Sequence, residues 1–267
     1  MSAATLPEPA KAAVSASIES AVVQADKAAD KQSDTAADAK ADKAVKTVFD
    51  DKLHFNVVHP LNSTWTLWFD NASKQDKSRS WEDSLQQVME INTVEEFWGL
   101  YNNIVPPSHI AISSNYYLFR KGIKPAWEDP ANAKGGKWAV QLPRDKTAGN
   151  VDNFWLYTML AAIGETFETP FDGSTAGTSA EVREEVTGVI ISSRKVFWRI
   201  NVWTKTATDS DKPRLEVIGK HIKYGILGVP VGVKLAAAGA TVGTDVEFES
   251  HKDSMSGSRS NANKWKV

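Results

Sequence analysis

The segment LNSTWTLWF, residues 61–69, alternates between apolar and polar positions over most of its length. This period of two predicts a β-strand, with Trp65 and Leu67 on one face and Trp68 on the other. Similar short runs of aromatic and β-branched residues predict further strands at 116–120, 137–142, 186–194, 197–204 and 245–250.

Two segments have the spacing of amphipathic helices. TVEEFWGLY, residues 93–101, begins with Thr93 as an N-cap and carries Glu96 three residues later, as a capping box requires. NFWLYTMLAAI, residues 153–163, has the same helical period, and a third helix is expected over 213–224. Strands outnumber helices without strict alternation, which favours an α+β fold: a mainly antiparallel sheet with helices on one face.

Composition divides the chain near residue 49. Residues 1–48 are rich in Ala, Asp, Lys and Ser and contain no aromatic residue, so we predict a disordered tail. Residues 49–267 are expected to form a single domain. Within it, the Gly/Ser/Thr-rich stretch 169–182 is predicted to be a loop insertion, and 252–264 a flexible segment.

Charge and composition exclude several classes of protein. The formal net charge of -2 gives no global basic field for long nucleic acids, so a nucleic-acid ligand would need a local cluster of cations. No cysteine is present, and the five histidines have no metal-ligand spacing, so we expect neither a metal nor a cofactor. Without a secretory signal or an apolar run long enough to span a bilayer, a cytoplasmic or nucleocytoplasmic protein is expected.

Ten tryptophans offer flat aromatic faces, and two of them are in segments that read as loops. Trp127 adjoins Glu128, whose carboxylate is suited to accept both the N1–H and N2–H bonds of guanine. Trp81 follows a polar stretch, and two such rings can sandwich a base, most strongly a cationic one such as N7-methylated guanine. Taken singly, each remains compatible with a core ring or a solvated carboxylate.

Phosphate groups would need cations, and several lie on or beside the predicted strands. Arg194, Lys195 and Arg199 are close together in sequence, and Lys137 follows two glycines. Arginine is suited to phosphate because its fork donates two hydrogen bonds. No Walker-type glycine loop is present, which excludes that class of nucleotide hydrolase. Each cation taken alone is better explained by a solvated surface position.

Six stretches together resemble the eukaryotic translation initiation factor 4E family, the cap-binding subunits of translation initiation. The similarity extends over about residues 55–255 and keeps the spacing between motifs. The stretches are HPLNSTWTLWF (59–69), SRSW (78–81), TVEEFWGLYN (93–102), KPAWEDPANAKGGKW (124–138), FWLYTMLAAIGE (154–165), and VIISSR followed by VW (189–203).

The resemblance implies a curved antiparallel sheet of eight strands, with three helices on its convex face and a cap-binding slot on its concave face. In that slot Trp81 and Trp127 would sandwich the methylated base of the 7-methylguanosine cap. Glu128 would accept the N1–H and N2–H bonds, and Trp203 would contact the N7 methyl group. The implied function is to bind capped messenger RNA and to recruit it to the initiation machinery through a scaffold protein.

The phosphate end of the implied site consists of cations. Arg194 aligns with a phosphate-binding arginine of the family. Arg199 stands where the family often has lysine, and Lys137 matches a basic position expected to act through water.

A second implied site lies on the convex face. There the family binds a helix of the scaffold initiation factor 4G, or of repressors that share its Tyr-x-x-x-x-Leu-apolar motif. The matching residues are His59, Pro60, Val94, Trp98, Leu156, Tyr157, Leu160 and Gly164. Tyr157 stands where animal members have a glutamate that pairs with the partner, so that ion pair is absent. We expect a monomer that works within a heteromeric complex.

Two other interpretations remain open at the level of sequence. In a carbohydrate-active hydrolase, the tryptophans would form sugar platforms and Glu128 would act with Glu165 or Asp129; such chemistry needs two carboxylates on opposite sides of a cleft. In a plain interaction scaffold, the tryptophans would be core and no nucleotide would bind. Ser258, near a regulatory phosphoserine position of animal members, stays without an assigned role.

Overall fold

Eight antiparallel strands pair into one sheet in the computed structural model, which describes residues 45–71, 80–170, 184–233, 245–256 and 265–267. In chain order they are β1 (Pro60–Asn71), β2 (Gln86–Thr93), β3 (Ser114–Arg120), β4 (Gly136–Pro143), β5 (Val186–Ser193), β6 (Phe197–Thr204), β7 (Glu247–Ser250) and β8 (Trp265–Lys266). Their order across the sheet is β2-β1-β3-β5-β6-β4-β7-β8. The expected eight-stranded antiparallel fold is confirmed.

Helices connect and cover these strands. They are α1 (Trp81–Ser84), α2 (Val94–Tyr101), α3 (Arg144–Thr147), α4 (Val151–Ile163), α5 (Lys212–Lys220) and α6 (His251–Ser256). The predicted capping box of α2 is confirmed: Thr93 Oγ1 accepts from the backbone N–H of Glu96 at 3.1 Å, and Glu96 Oε2 accepts from that of Thr93 at 3.2 Å. The helix predicted at 213–224 ends as an α-helix at Lys220 and continues as a π-helix, His221–Ile226.

One face of the sheet packs against three helical segments: α2, α4, and α5 with its π-helical extension. Because side chains alternate along a strand, the cross-strand register places one apolar row from each strand on this face. From β1 it receives Trp65 and Leu67, as predicted, both fully buried. The sheet residues of this core also include Leu118, Trp138, Val140, Leu142, Val189, Ile191, Trp198, Ile200, Val202 and Phe248.

Two strands, β2 and β8, were not predicted from the sequence pattern. In β2, QQVMEINT, only Ile91 is buried, so this edge strand lacks the alternation that marks a half-buried strand. β8 has two residues, and Trp265 stacks on Phe248 of β7 with ring centroids 4.7 Å apart and planes 8° from parallel. That contact is made between residues distant in sequence, which local patterns do not report.

Several predictions fall on residues outside the described ranges. The tail at 1–48 is described only from Val45, and most of the 169–182 loop insertion, like Ser258, lies outside. The 252–264 segment begins within α6, and its part from 257 on is outside the description. Within the described residues, no helix has the length and apolar character needed to cross a membrane.

Candidate functional site

The face of the sheet opposite the helices gathers most of the predicted ligand residues. Trp68 and Asp70 of β1 lie opposite Tyr117 and Asn115 of β3. Farther across the sheet, the register brings Trp203 of β6 opposite Lys137 of β4, and Lys137 opposite Glu249 of β7. A small apolar cluster forms the floor of this face: Tyr117, Phe119, Ile190 and Trp203, with Trp68, Trp81, Leu85 and Ile123 packed against it. We call this surface the ligand face.

Trp81 is the first residue of α1, and several interactions hold it. The helix begins in a capping box in which Ser80 Oγ accepts from the backbone N–H of Asp83 at 3.3 Å. The Trp81 ring packs edge-on against Tyr117, with centroids 6.1 Å apart, and its Nε1–H donates to Asp70 Oδ2 at 2.9 Å. The indole is half-buried, and these contacts orient it.

Trp127 and Glu128 are both exposed on the loop that joins β3 to β4, and Trp127 is 41% exposed. Two other side chains fix the backbone of this loop. Asp129 accepts from the backbone N–H of Lys124 and of Ala131, each at 2.9 Å. The fully buried Asn132 donates from Nδ2 to the carbonyls of Lys124 and Ala126, both at 2.9 Å. An anchored loop thus presents an open indole face beside a free-standing carboxylate.

Trp203 is only 4% exposed and belongs to the floor of the ligand face. Its ring lies edge-on against Phe119, with centroids 5.5 Å apart, and is tilted by 50° against the His251 ring, with centroids 4.2 Å apart. Its Nε1–H has no hydrogen-bond partner among the described residues. Burial, together with the charge of Lys137, lowers the pKa of His251 to about 4, so this imidazole is neutral at physiological pH.

Arg194 and Arg199 form the cationic part of the ligand face. Arg194 Nη2 donates to Asn115 Oδ1 at 2.9 Å, and its Nη1 donates to the carbonyl of Ser193 at 3.0 Å. Burial lowers the pKa of Arg199, and the nearby charge of Arg194 lowers it further, whereas Glu249 acts in the opposite direction. An arginine stays protonated despite such a shift, so both guanidiniums remain donors.

Lys137 stands in an acidic and polar setting. Its ammonium donates to Ser254 Oγ at 3.0 Å and lies 3.6 Å from Glu249 Oε2, with both side chains about three-quarters buried. The carboxylate of Glu249 therefore lies among the cations that the sequence assigned to phosphate. A bound phosphate would compete with Glu249 for Lys137.

The residues predicted to bind a partner lie on the helix side. Trp98 is 38% exposed, Val94 36% and Tyr157 47%, although all three are apolar or aromatic. Leu156 and Leu160 are half-buried on α4, next to the exposed Gly164.

His59 and Pro60 are exposed at the start of β1. His59 Nδ1 lies 2.7 Å from Glu95 Oε1, its backbone N–H donates to Glu95 Oε2 at 2.9 Å, and its carbonyl accepts from Val94 N–H at 2.9 Å. These bonds from His59 lower the pKa of Glu95 and fix the start of β1 to the start of α2.

The geometry does not support the hydrolase interpretation. Both carboxylate oxygens of Asp129 accept backbone N–H groups of its own loop, so it has a structural task. Glu165 pairs with Arg120 at 2.8 Å, and its side chain is only 8% exposed. Burial raises the pKa of Glu165, but hydrogen bonds from Ser63 and Arg120 outweigh that effect and leave the pKa below its usual value. Neither carboxylate is a second catalytic group for Glu128.

Several residues of the ligand face were missed from the sequence: Asp70, Asn115, Glu249 and His251. The sequence signal for them is weak. Asp70, Asn115 and Glu249 each adjoin an apolar strand residue, which places them on the face opposite the core. His251 begins α6 between Ser250 and Lys252 and lacks even this signal. Without the strand register, nothing in the sequence brings Asp70 next to Asn115.

Comparisons with known proteins agree with this geometry. The sequence model of the family described as Eukaryotic initiation factor 4E matches residues 60–266. Eukaryotic translation initiation factor 4E of Candida albicans is 41% identical over 179 residues, covering 67% of this chain and 78% of that protein. Ascaris suum eIF4E-3, solved with an m7G cap, has a TM-score of 0.58 and 34% identity over 73% of this chain and 92% of its own. C. elegans eIF4E-3, solved with the 4E-binding protein Mextli and a cap analog, has a TM-score of 0.58 and 30% identity over 75% of this chain and 96% of its own.

Proposed function

The chain belongs to the eukaryotic initiation factor 4E family, and we propose that it binds the 7-methylguanosine 5′ cap of messenger RNA and recruits it for translation initiation. One observation carries the proposal. The ligand face combines an oriented tryptophan, a buried aromatic floor and a cluster of cations, and the β3–β4 loop, which packs on that floor through Ile123, carries the exposed Trp127 and Glu128. The related Ascaris suum protein was solved with m7G and m2,2,7G caps, which supports the same ligand for this chain.

The base would stack between Trp81 and Trp127. A stacked base contributes about 1–3 kcal/mol per aromatic partner. The positive charge of N7-methylated guanine adds a cation–π attraction of about 0.5–2 kcal/mol, which unmethylated guanine lacks. Glu128 supplies an acceptor for both donors on the Watson–Crick edge of guanine, a pattern that adenine does not present. Methylation and base identity are therefore read by separate groups.

The phosphates would meet Arg194, Arg199 and Lys137. Arg194 is already oriented by Asn115 and by its own strand end, so little conformational entropy is lost when it binds a phosphate. Lys137 exchanges its contact with Glu249 for a phosphate oxygen, directly or through water.

We further propose that the exposed patch on α2 and α4 binds an apolar helix of a scaffold protein or repressor. A solvent-exposed tryptophan one turn from Val94 on α2, together with two half-buried leucines on α4, supplies the aromatic and aliphatic anchors typical of helix-in-groove recognition. The C. elegans relative solved with a 4E-binding protein supports this class of partner. Tyr157 replaces the acidic residue of animal members, so the partner helix would make an aromatic contact there in place of an ion pair.

This function needs binding and no chemical step. We propose a non-enzymatic, cytoplasmic protein that is monomeric apart from its heteromeric complex with the scaffold. The two described carboxylates considered as partners of Glu128 in a hydrolase, Asp129 and Glu165, are both committed to structural bonds.

Intrinsic tryptophan fluorescence during titration with 7-methyl-GTP, beside unmethylated GTP, tests the cap site. Saturable quenching at roughly 3- to 30-fold lower concentration for the methylated nucleotide is expected from the cation–π term. Trp127→Ala removes one stacking partner and should weaken 7-methyl-GTP binding by roughly 5- to 150-fold. Equal quenching by both nucleotides would contradict the cationic-base sandwich, and no quenching by either would leave only the helix-binding surface.

A reciprocal pair of variants separates the two surfaces. Trp127 and Trp98 are exposed to a similar degree, 41% and 38%, and belong to different elements, the β3–β4 loop and α2. Trp98→Ala should abolish capture of a peptide with the Tyr-x-x-x-x-Leu-apolar motif and leave 7-methyl-GTP quenching saturable at the wild-type concentration. Trp127→Ala should do the reverse. Loss of both activities in a variant that keeps the wild-type circular dichroism spectrum would contradict two independent sites.

A further inference from the structure

Asp70 is a buried carboxylate on the ligand face that the function described above does not use. It lies in β1 opposite Asn115 of β3 and is only 2% exposed. A carboxylate removed from water in this way is unfavourable unless its oxygens are hydrogen-bonded. Two neighbours connect Asp70 to predicted ligand groups. Trp81 is itself such a group, and Asn115 binds another, Arg194.

The two oxygens of Asp70 accept from different partners. Oδ2 accepts the indole N–H of Trp81 at 2.9 Å, and Oδ1 accepts from Nδ2 of Asn115 at 2.5 Å. Asn115 is itself buried, at 6% exposed. Burial, and then the charge of Asp70, raises the pKa of Tyr117, whose ring packs against Trp81, so this hydroxyl stays protonated. Asp70 is thus an acceptor surrounded by donors.

The bond from Asn115 sets which way its amide points. An ionised carboxylate accepts and never donates, so the NH2 group of Asn115 must face Asp70. The carbonyl oxygen of Asn115 then faces the other way, where it accepts from Arg194 Nη2 at 2.9 Å. A continuous path, Trp81 to Asp70 to Asn115 to Arg194, joins the base-stacking end of the ligand face to its phosphate end.

We infer that Asp70 is a positioning residue that couples base stacking to phosphate binding, because one carboxylate orients both the Trp81 ring and, through Asn115, the Arg194 guanidinium. The inference rests on the proposed function, which assigns Trp81 to the base and Arg194 to a phosphate. Asp70 touches neither part of the nucleotide and acts only through these two side chains.

Asp70→Asn tests this coupling because it keeps the shape and removes one acceptor. If the new amide accepts from Trp81, its NH2 faces Asn115, which must turn over and direct its own NH2 at Arg194. If it accepts from Asn115, its NH2 faces the indole N–H. In either case, one of the two hydrogen bonds made by residue 70 is lost. The bond that remains is weaker, because the carboxylate charge that strengthened it is gone. We expect 7-methyl-GTP to bind roughly 10-fold more weakly.

The ligand pair 7-methylguanosine and 7-methyl-GTP separates the two ends. The nucleoside has no phosphate for Arg194, so Asp70→Asn should weaken it by a smaller factor than the triphosphate. Asn115→Ala keeps the bond between Asp70 and Trp81 and cuts the path to Arg194, so it should weaken the triphosphate and spare the nucleoside. This second variant keeps the inference testable if Asp70→Asn fails to fold.

Asp152→Asn is the matched control. Asp152 on α4 also accepts two hydrogen bonds, from the backbone N–H and the hydroxyl of Ser108 at 2.8 and 2.6 Å, away from the ligand face. It should leave both affinities at the wild-type value. In the free protein, the Trp81 indole N–H resonance should move upfield in Asp70→Asn and stay in place in Asp152→Asn.

The outcomes are distinct. Wild-type affinity of Asp70→Asn for both ligands would overturn the inference and leave the proposed function intact. An equal loss for nucleoside and triphosphate would overturn the coupling, since Asp70 would then orient Trp81 alone. Failure of the wild-type protein to bind either ligand would overturn the proposed function, and the inference with it.

Discussion

Gly188 of β5 is placed where a single added methyl group would strike the floor of the ligand face. A Cβ at this position would lie 2.4 Å from Cγ of Phe119 and 2.5 Å from both of its Cδ atoms. Ordinary van der Waals contact begins at 3.4 Å, so the ring would have to move by about 1 Å. Phe119 is fully buried and meets Trp203 edge-on, which leaves it no open space to enter.

We predict that Gly188→Ala destabilises the protein and weakens nucleotide binding. Overpacking of this kind costs about 1–3 kcal/mol. Replacing glycine also stiffens the unfolded chain, which returns about 0.4–1 kcal/mol. The net loss is then about 1–2 kcal/mol, or roughly 2–8 °C in Tm for a domain of this size. Because Phe119 pushes on Trp203, 7-methyl-GTP affinity should fall about 3- to 10-fold, as expected for misplacement of a binding group.

Urea unfolding followed by circular dichroism measures the first effect, and fluorescence titration the second. Gly99→Ala is the matched control: a Cβ there meets nothing within 4 Å, and the residue lies inside α2. That variant should gain about 0.5–1 kcal/mol, since alanine is the better helix former. A Gly188→Ala protein as stable as wild type, or stabilised like Gly99→Ala, would refute the steric reasoning.

Three further predictions concern single side chains. Glu249→Gln removes a negative charge beside Lys137, so 7-methyl-GTP should bind about 2- to 5-fold more tightly in fluorescence titrations, the effect expected of a partly exposed charge. The affinity for the nucleoside should not change. Weaker binding of the triphosphate would contradict this prediction. Burial lowers the pKa of His251 from 6.5 to about 4. Between pH 6.5 and pH 4, the His251 imidazole is therefore protonated in the unfolded state but neutral in the folded state. Wild-type stability should therefore be complete above pH 6.5 and fall by up to about 3 kcal/mol towards pH 4, a loss that urea unfolding should not find in His251→Gln. Asn132→Ala removes the two hydrogen bonds that Asn132 Nδ2 donates to the carbonyls of Lys124 and Ala126, so it should cost about 1–3 kcal/mol and speed amide exchange around Trp127. Unchanged exchange would show that Asn132 does not anchor this loop.

Local sequence signals predicted the elements whose causes are local. The alternation of β1 placed Trp65 and Leu67 in the core and Trp68 on the other face, because a strand has a strict period of two. The α2 capping box was equally predictable, since both of its bonds join residues three apart. β2 was missed because it is an edge strand with one buried side chain, and β8 because it has two residues and pairs with β7, which is distant in sequence.

The same distinction between local and long-range causes separates the site residues that were predicted from those that were missed. Trp127 and Glu128 were singled out from the sequence because an exposed indole beside a carboxylate is a local pattern. Asp70 and Asn115 were missed because their roles arise from cross-strand register, which brings together residues 45 apart. Trp203 owed its assignment to family resemblance alone, since nothing local distinguishes it from the other buried tryptophans.

The ligand face divides into a preorganised half and an adaptable half, and magnitudes show why both are needed. Ordering an exposed side chain on binding costs about 0.5–1.5 kcal/mol, so Trp127 and Glu128 together would lose about 1–3 kcal/mol. Stacking on Trp127 returns about the same amount, which leaves that loop close to balance by itself. Net affinity must then come from groups that are already fixed: Trp81, held by Asp70 and the α1 capping box, and Arg194, held by Asn115. Under the proposed function, the adaptable loop would supply the choice of base, because Glu128 would meet the guanine edge there, while the fixed half would supply the binding energy that makes the choice effective.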